Sequence, residues 1–346
     1  MAAFFSPSLF VRVRNAVSRP AGLHRTVQYV FLAFYLYVGL RFYAYAQWAM
    51  GASLDYVPKP ASVEAFLPIS ALLAAKRLLL TGEYDIVHPA GLTILLLAVI
   101  SSLLFRKGFC GYLCPIGTLS MLLDRLGKRL GLRRRMPGWL SLLLSLPKYL
   151  LLLFFVNLLL VQMDIASIES FLRTPYNMVA DSKMLLFFWH PSRTLLITLG
   201  VLVLGSMLFP AFWCRGFCPY GALLGLFSML SPLAVRRKAH RCTGCHRCSQ
   251  ACPSRIPVHE KSRVSNPECF GCTECLGACP VPGCLDLHFG YTSRAGVLPF
   301  WSAALGTLAL LCLLYFWAVS SDNWTSQIPA TMMRELHSNI LQLEHP

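Results

Sequence analysis

Five apolar stretches, over residues 27–48, 89–105, 140–163, 194–213 and 298–319, recur along the chain. Each is close to the ~20 residues a helix needs to cross a bilayer. The pattern predicts an all-α polytopic membrane protein with about five transmembrane helices. The second stretch is short and the third carries Pro147 and Lys148 near its start, so these two have the softest boundaries. The first stretch ends in Ala44-Tyr45-Ala46, which has the form of a signal-peptidase site, but its apolar core is too long for a cleaved leader and an uncleaved anchor is expected.

Composition agrees: 56% of the 346 residues are hydrophobic and only 13% charged, about half the charged share of a soluble domain. Residues 1–26, 106–148 and 214–294 together hold 23 Lys and Arg against 5 Asp and Glu, and the rest of the chain holds 8 against 10. The +16 net charge is therefore +18 on one side and −2 on the other, which by the positive-inside rule assigns the basic side to the cytoplasm of a bacterial inner membrane. Topology and anionic headgroups account for the basicity, so nucleic acid is not an expected partner. Residues 1–26 read as a cytoplasmic amphipathic segment lying along the membrane, and 320–346 as a periplasmic tail.

Chemistry enters with the cysteines. Cys242, Cys245, Cys248 and Cys252 form one run and Cys269, Cys272, Cys275 and Cys279 a second, and both read C-x2-C-x2-C-x3-C-P. In bacterial ferredoxins with this spacing the fourth cysteine of each run serves the other cluster. The expected ligand sets are Cys242, Cys245, Cys248 and Cys279 for one [4Fe-4S] cluster, and Cys269, Cys272, Cys275 and Cys252 for the other. A zinc or disulfide framework fits less well, because zinc sites take their thiolates as two pairs. Residues 236–292 are thus expected to form a small α+β ferredoxin-like domain in a reducing compartment. Cys284 and Cys312 fall outside the pattern and read as packed thiols.

The membrane part repeats itself. Glu64-Ala-Phe-Leu, Lys76, His88-Pro89, an apolar stretch and Cys110-Gly-Tyr-Leu-Cys114-Pro115 are followed, about 104 residues later, by Glu169-Ser-Phe-Leu, Lys183, His190-Pro191, an apolar stretch and Cys214-Arg-Gly-Phe-Cys218-Pro219. Two parallel repeats, 27–126 and 138–232, are expected, with 297–319 as a final helix. The pseudo-symmetry would gather Cys110, Cys114, Cys214 and Cys218 into a third metal or redox-dithiol site, or leave them as packed thiols at helix ends. His88 and His190 sit where Pro opens a helix, so each is a hydrogen-bonded helix start, a quinone or proton site, or half of a bis-imidazole haem site. Arg41, Glu64, Lys76, Glu169 and Lys183 are ionisable groups near membrane depth and join that candidate site.

Duplicated Cys-x3-Cys-Pro followed by two cubane motifs resembles the NapH-type membrane polyferredoxins, whose NosR-type and CcoG-type relatives share the same element. The resemblance runs from about Pro89 to Leu287 and places Cys110, Cys114, Cys214 and Cys218 on the boundary motifs. It implies an inner-membrane protein carrying electrons between the quinone pool and a partner redox protein or complex subunit. No Asp-Gly-x-Thr sequence is present, so covalent FMN is not expected. The CcoG-type likeness leaves open a second reading, a copper reductase or oxidase-maturation factor, since soft thiolates suit Cu(I).

Overall fold

The structure, a computed structural model, describes residues 17–134, 138–292 and 296–343. The first sixteen residues of the expected amphipathic segment lie outside the described residues. Three helices are long and apolar enough to span a membrane: Pro20–Ala49, the run Leu143–Gln162 and Ser302–Ser320. A fourth span results if Ala180–Trp189 and Arg193–Leu208, which meet at 84°, count as one. The bend falls at His190-Pro191, where proline has no N–H for a continuing helix and restricts the residue before it.

The expected second span forms the helix Pro89–Phe105. Its 17 residues rise only about 26 Å, short of the ~30 Å hydrocarbon core. It is also buried along most of its length, with Ala90, Leu92 and Ala98 fully covered. A helix apolar all round belongs inside a bundle. The corresponding helix of the second copy, Arg193–Leu208, instead exposes Leu196, Ile197, Val201 and Leu204.

The chain divides into two compact units. One gathers the described residues up to Ala33 with Ala98–Tyr149 and Leu202–Leu310, and the other gathers Phe34–Leu97, Leu150–Val201 and residues from Leu311 on. In the first unit β1 (Leu233–Arg237) pairs antiparallel with β2 (Leu285–Phe289), and β2 with β3 (Gly296–Leu298). The register sets Leu233 opposite Phe289 and Val235 opposite Leu287. Leu233, Val235 and Leu287 are all buried, so this sheet closes the ferredoxin segment by bringing its two ends together.

Both Cys-x3-Cys-Pro segments also lie in the first unit. Phe109–Leu113 makes a π turn that ends at Cys114, the N-cap of the helix Pro115–Arg129. Phe212–Gly216 makes a short α turn before Cys218, the N-cap of Pro219–Met229. Proline in the first turn fits both helix starts, where the missing N–H would be unpaired anyway.

Candidate iron-sulfur sites and the cysteine pairs beside them

The two ferredoxin runs adopt the same local path. Gly244 and Gly271, third in each run, both have φ +69°, and His246 and Thr273, fifth in each, both have φ +58°. A five-residue helix follows each, Arg247–Ala251 and Glu274–Ala278. Left-handed residues at fixed offsets turn successive backbone N–H groups toward one point, the kind of nest that receives an anionic cluster. For His246 and Thr273 the left-handed region costs about 1–2 kcal/mol each, so the surrounding packing has to hold them there.

Two cavities result. The first is lined by Cys242, Cys245, Cys248 and Cys279. Around the second stand Cys252, Cys269, Cys272 and Cys275. Each takes three thiols from one run and the last thiol of the other. Cys275 also feels the charge of Cys248, so the two sites are neighbours.

Among the described residues no three His, Cys, Asp or Glu side chains converge tightly enough to hold a single metal ion. Around one tetrahedral ion, thiolate sulfurs would sit about 3.8 Å apart, from a metal–sulfur bond of ~2.3 Å. A cubane spreads its ligands around the corners of a larger body. The donor sets, the nests and the cavities therefore fit [4Fe-4S] clusters.

The surroundings of the two sites differ. The first has Cys245 exposed and is flanked by Arg237, His246 and His259. The Gly244 N–H, with Arg237 beside it, holds the Cys242 thiol below its ordinary value. The second is walled by Val235, Ile256, Val258, Val264 and Phe270, all buried. There burial pushes Cys252 up to about 11 and holds Cys272 and Cys275 well above their ordinary values, so these sulfurs stay protonated unless a metal takes them.

Cys284 is buried, as a packed thiol should be, and its place is the wall of the first cavity. There it interacts with both Cys242 and Cys279. The sequence hides this because pairing of β1 with β2 is what carries Cys284 there. Cys312 is exposed on Ser302–Ser320.

The second site is packed directly onto the first Cys-x3-Cys turn. The Lys107 N–H donates to the Cys269 carbonyl at 3.3 Å and the Tyr112 hydroxyl to the Gly271 carbonyl at 3.1 Å. A Cβ on Gly111 would lie 2.9 Å from the Phe270 carbonyl oxygen, so only glycine permits this approach. Arg106, fully buried, donates to the carbonyls of Ser228 and Asn266, both at 2.6 Å.

Cys110, Cys114, Cys214 and Cys218 lie close enough to feel one another's charge. Rings from the two copies, Phe109 and Tyr220, meet edge to face at 6.2 Å. Cys218 sulfur accepts the Gly221 N–H at 3.2 Å, while Cys114 caps its helix without such a bond. A cysteine at a helix N-cap is favoured as thiolate by the N–H groups there. Burial opposes this and keeps all four thiols above their ordinary values.

Beside them Lys107 and Lys148, both fully buried, share one carboxylate, Glu268. Lys107 also senses Cys110, Cys214 and Cys218. Sequence reading missed this triad, although Glu268 immediately precedes Cys269.

In the second unit His88 is buried, with Nε2 2.7 Å from the Asn177 carbonyl and Nδ1 3.3 Å from Glu64. Nε2 is thus engaged by a carbonyl, and Nδ1 faces a carboxylate. Burial works against a charge on His88, but Glu64 outweighs it and holds the imidazole above its ordinary value. Lys59 reaches both Glu64 at 3.2 Å and Asp181 at 2.7 Å, and the Asp181 neighbour Ser182 contacts His337 at 2.8 Å.

The other members of that candidate set stand elsewhere. His190 lines a separate cavity with Lys183 and Tyr176. Glu169 pairs with Arg77 at 3.5 Å, Lys76 donates to the carbonyls of Leu160 and Met163, and Arg41 is exposed. The repeat is therefore chemically uneven, since Glu64 is buried and Glu169 is 41% exposed.

Comparison with known proteins follows the same segments. A family described as "4Fe-4S binding domain" matches residues 87–133 and again 194–239, the two Cys-x3-Cys-Pro copies. A "4Fe-4S dicluster domain" matches 234–280. The chain is 37% identical to a putative electron transport protein, YccM, of Escherichia coli over 90% of this chain and 88% of that one. Protein NirI of Paracoccus denitrificans is 30% identical over 78% of this chain and 36% of its own length. Regulatory protein NosR of Pseudomonas aeruginosa is 29% identical over 49% and 23%. No solved structure matches.

Proposed function

Because the chain belongs to the NapH/NosR-type family of membrane 4Fe-4S proteins, we propose that this iron-sulfur electron-transfer protein relays electrons between the quinone pool and a partner redox protein. The observation that carries the reading is the pair of neighbouring cavities, each lined by four cysteines drawn from both runs. Clusters bound there would supply one-electron steps.

The chain's own residues divide the remaining work. The three cysteines of a run and the last of the other would hold each cluster. Arg237, Arg241 and Arg247 beside the exposed site favour an acidic partner surface on the proposed cytoplasmic side. In the second unit the Glu64, Asp181, Lys59 and His88 set is charge-balanced when His88 holds its proton, so His88 would receive a proton from a quinol only after passing its own on.

The boundary thiols complete the proposed path. Two buried lysines against one carboxylate leave an excess positive charge that only a nearby anion can offset cheaply. Cys110, Cys114, Cys214 and Cys218 as metal-bound thiolates would provide it, next to Cys269. Five spans, two parallel repeats and a cytoplasmic ferredoxin domain remain the proposed topology.

Anaerobic purification, iron counting and EPR after addition of a quinol analogue test the reading. About eight irons in the two ferredoxin sites, reduced by the quinol, are expected, with more iron if the boundary site is loaded. Clusters that dithionite reduces and no quinol reduces would sink the quinone assignment. Iron content unchanged by Cys110→Ser and by Cys214→Ser would remove the third centre.

A further inference from the structure

A half-open cavity of about 570 Å³ in the first unit lies beside the second cluster site and shares Cys252 with it. The start of the helix Pro20–Ala49, the far end of Pro115–Arg129 and the ferredoxin turns at 250–253 and 274–278 form its walls. Its volume falls within the ~300–1,000 Å³ typical of pockets for cofactor-sized molecules.

The charges around it do not balance. Arg19, Arg25, Arg125, Lys128 and Arg133 face Asp124 and Glu274. Asp124 is taken by Arg133 at 3.0 Å and Glu274 by His24 at 2.7 Å. Arg125 donates to two neutral oxygens, Tyr29 Oη at 3.1 Å and Gln28 Oε1 at 3.4 Å. Among the described residues the side chains of Arg19, Arg25 and Lys128 carry no hydrogen bond or ion pair, while the carbonyls of Arg19 and Lys128 accept from Leu23 and Gly131.

The lining includes Met121, Pro253 and Ala278, which are apolar, while the cations stand on the helix ends.

We propose that this cavity binds a phosphate-bearing amphiphile, with its phosphate on Arg19, Arg25 and Lys128 and its apolar body against Met121, Pro253 and Ala278. The headgroup of an anionic lipid and a flavin or nicotinamide nucleotide share this chemistry. The binding claim stands apart from the quinone reading. Cys252 lines the same cavity, so an anion bound here lowers the reduction potential of the cluster that Cys252 would hold.

The test uses the full chain, with iron loaded, in detergent. Phosphatidylglycerol retention is read by native mass spectrometry, and FMN and NADH binding by fluorescence on lipid-stripped protein. The double substitution Arg25→Gln, Lys128→Gln should weaken the bound ligand at least about tenfold, with iron content and helicity unchanged. Arg129→Gln, on the same helix but outside the lining, should leave binding as it was.

Retained phosphatidylglycerol identifies a lipid as the source, and nucleotide binding to stripped protein identifies a soluble cofactor. Equal weakening by Arg129→Gln would mean diffuse membrane electrostatics and overturn the site. Absence of binding by all three probes would overturn it as well.

Discussion

The two ferredoxin runs share one backbone path and end in unlike surroundings. One cavity has an exposed thiol at Cys245 and is edged with arginine and histidine, and the other is walled by the buried side chains of Val235, Ile256, Val258, Val264 and Phe270. Sequence spacing dictates the path, and tertiary packing dictates the environment. Two sites with the same four donors can thereby hold clusters of different potential and different access, which an ordered relay requires.

The largest expected effect comes from removing a ligand on each side. Cys272→Ser should lose the buried cluster and destabilise the packing around Lys107 and Tyr112, so little folded protein survives extraction. Cys245→Ser should lose about half the ferredoxin iron and leave a folded protein, because that thiol is exposed. Equal losses of iron and of folded yield in the two variants would erase the distinction.

A matched glycine pair comes next. Gly244 and Gly271 share φ +69°, but a Cβ at Gly244 meets nothing within 4 Å while one at Gly271 lies 2.8 Å from the Phe105 carbonyl oxygen. Gly244→Ala should cost about 1–2 kcal/mol of backbone strain. Gly271→Ala should cost that and a further ~1–3 kcal/mol of overpacking. Thermal unfolding followed by loss of cluster absorbance measures the difference.

Redox titration by EPR supplies the third comparison. The cluster of the exposed site should have the higher potential, since low dielectric disfavours the more negative reduced form in the buried one. Arg237→Gln should lower the first potential and leave the second nearly unmoved. The smallest effect is expected from Cys284→Ala, a modest shift of the exposed site's EPR signal without loss of iron.

Much of the ferredoxin site was legible because ligand spacing is local. Three thiols within seven residues, a following proline and a glycine at the third position encode one turn each, and the fourth ligand follows from the known exchange between runs. The apolar pattern likewise located the three helices that, among the described residues, are long and apolar enough to span a membrane. The bend at His190-Pro191 has a local cause in the proline, but the pattern could not show that Pro89–Phe105 is buried rather than lipid-facing, because that depends on neighbours far along the chain. The same is true of Cys284, of the lysines around Glu268 and of the basic cavity near Cys252. Each is assembled from three or more separate segments, and no short window contains its partners.

The contact of Gly111 with the Phe270 carbonyl has a consequence for biogenesis. A ferredoxin domain cut free at Leu233 and Leu298 would leave Phe270 and the Gly271 carbonyl facing water, stripped of the turn that covers them. The buried cofactor site is therefore finished only when the preceding hydrophobic segments have been inserted and folded. Maturation of this protein should run in one order, membrane integration before complete metal loading, and the domain should resist transplantation as a soluble module.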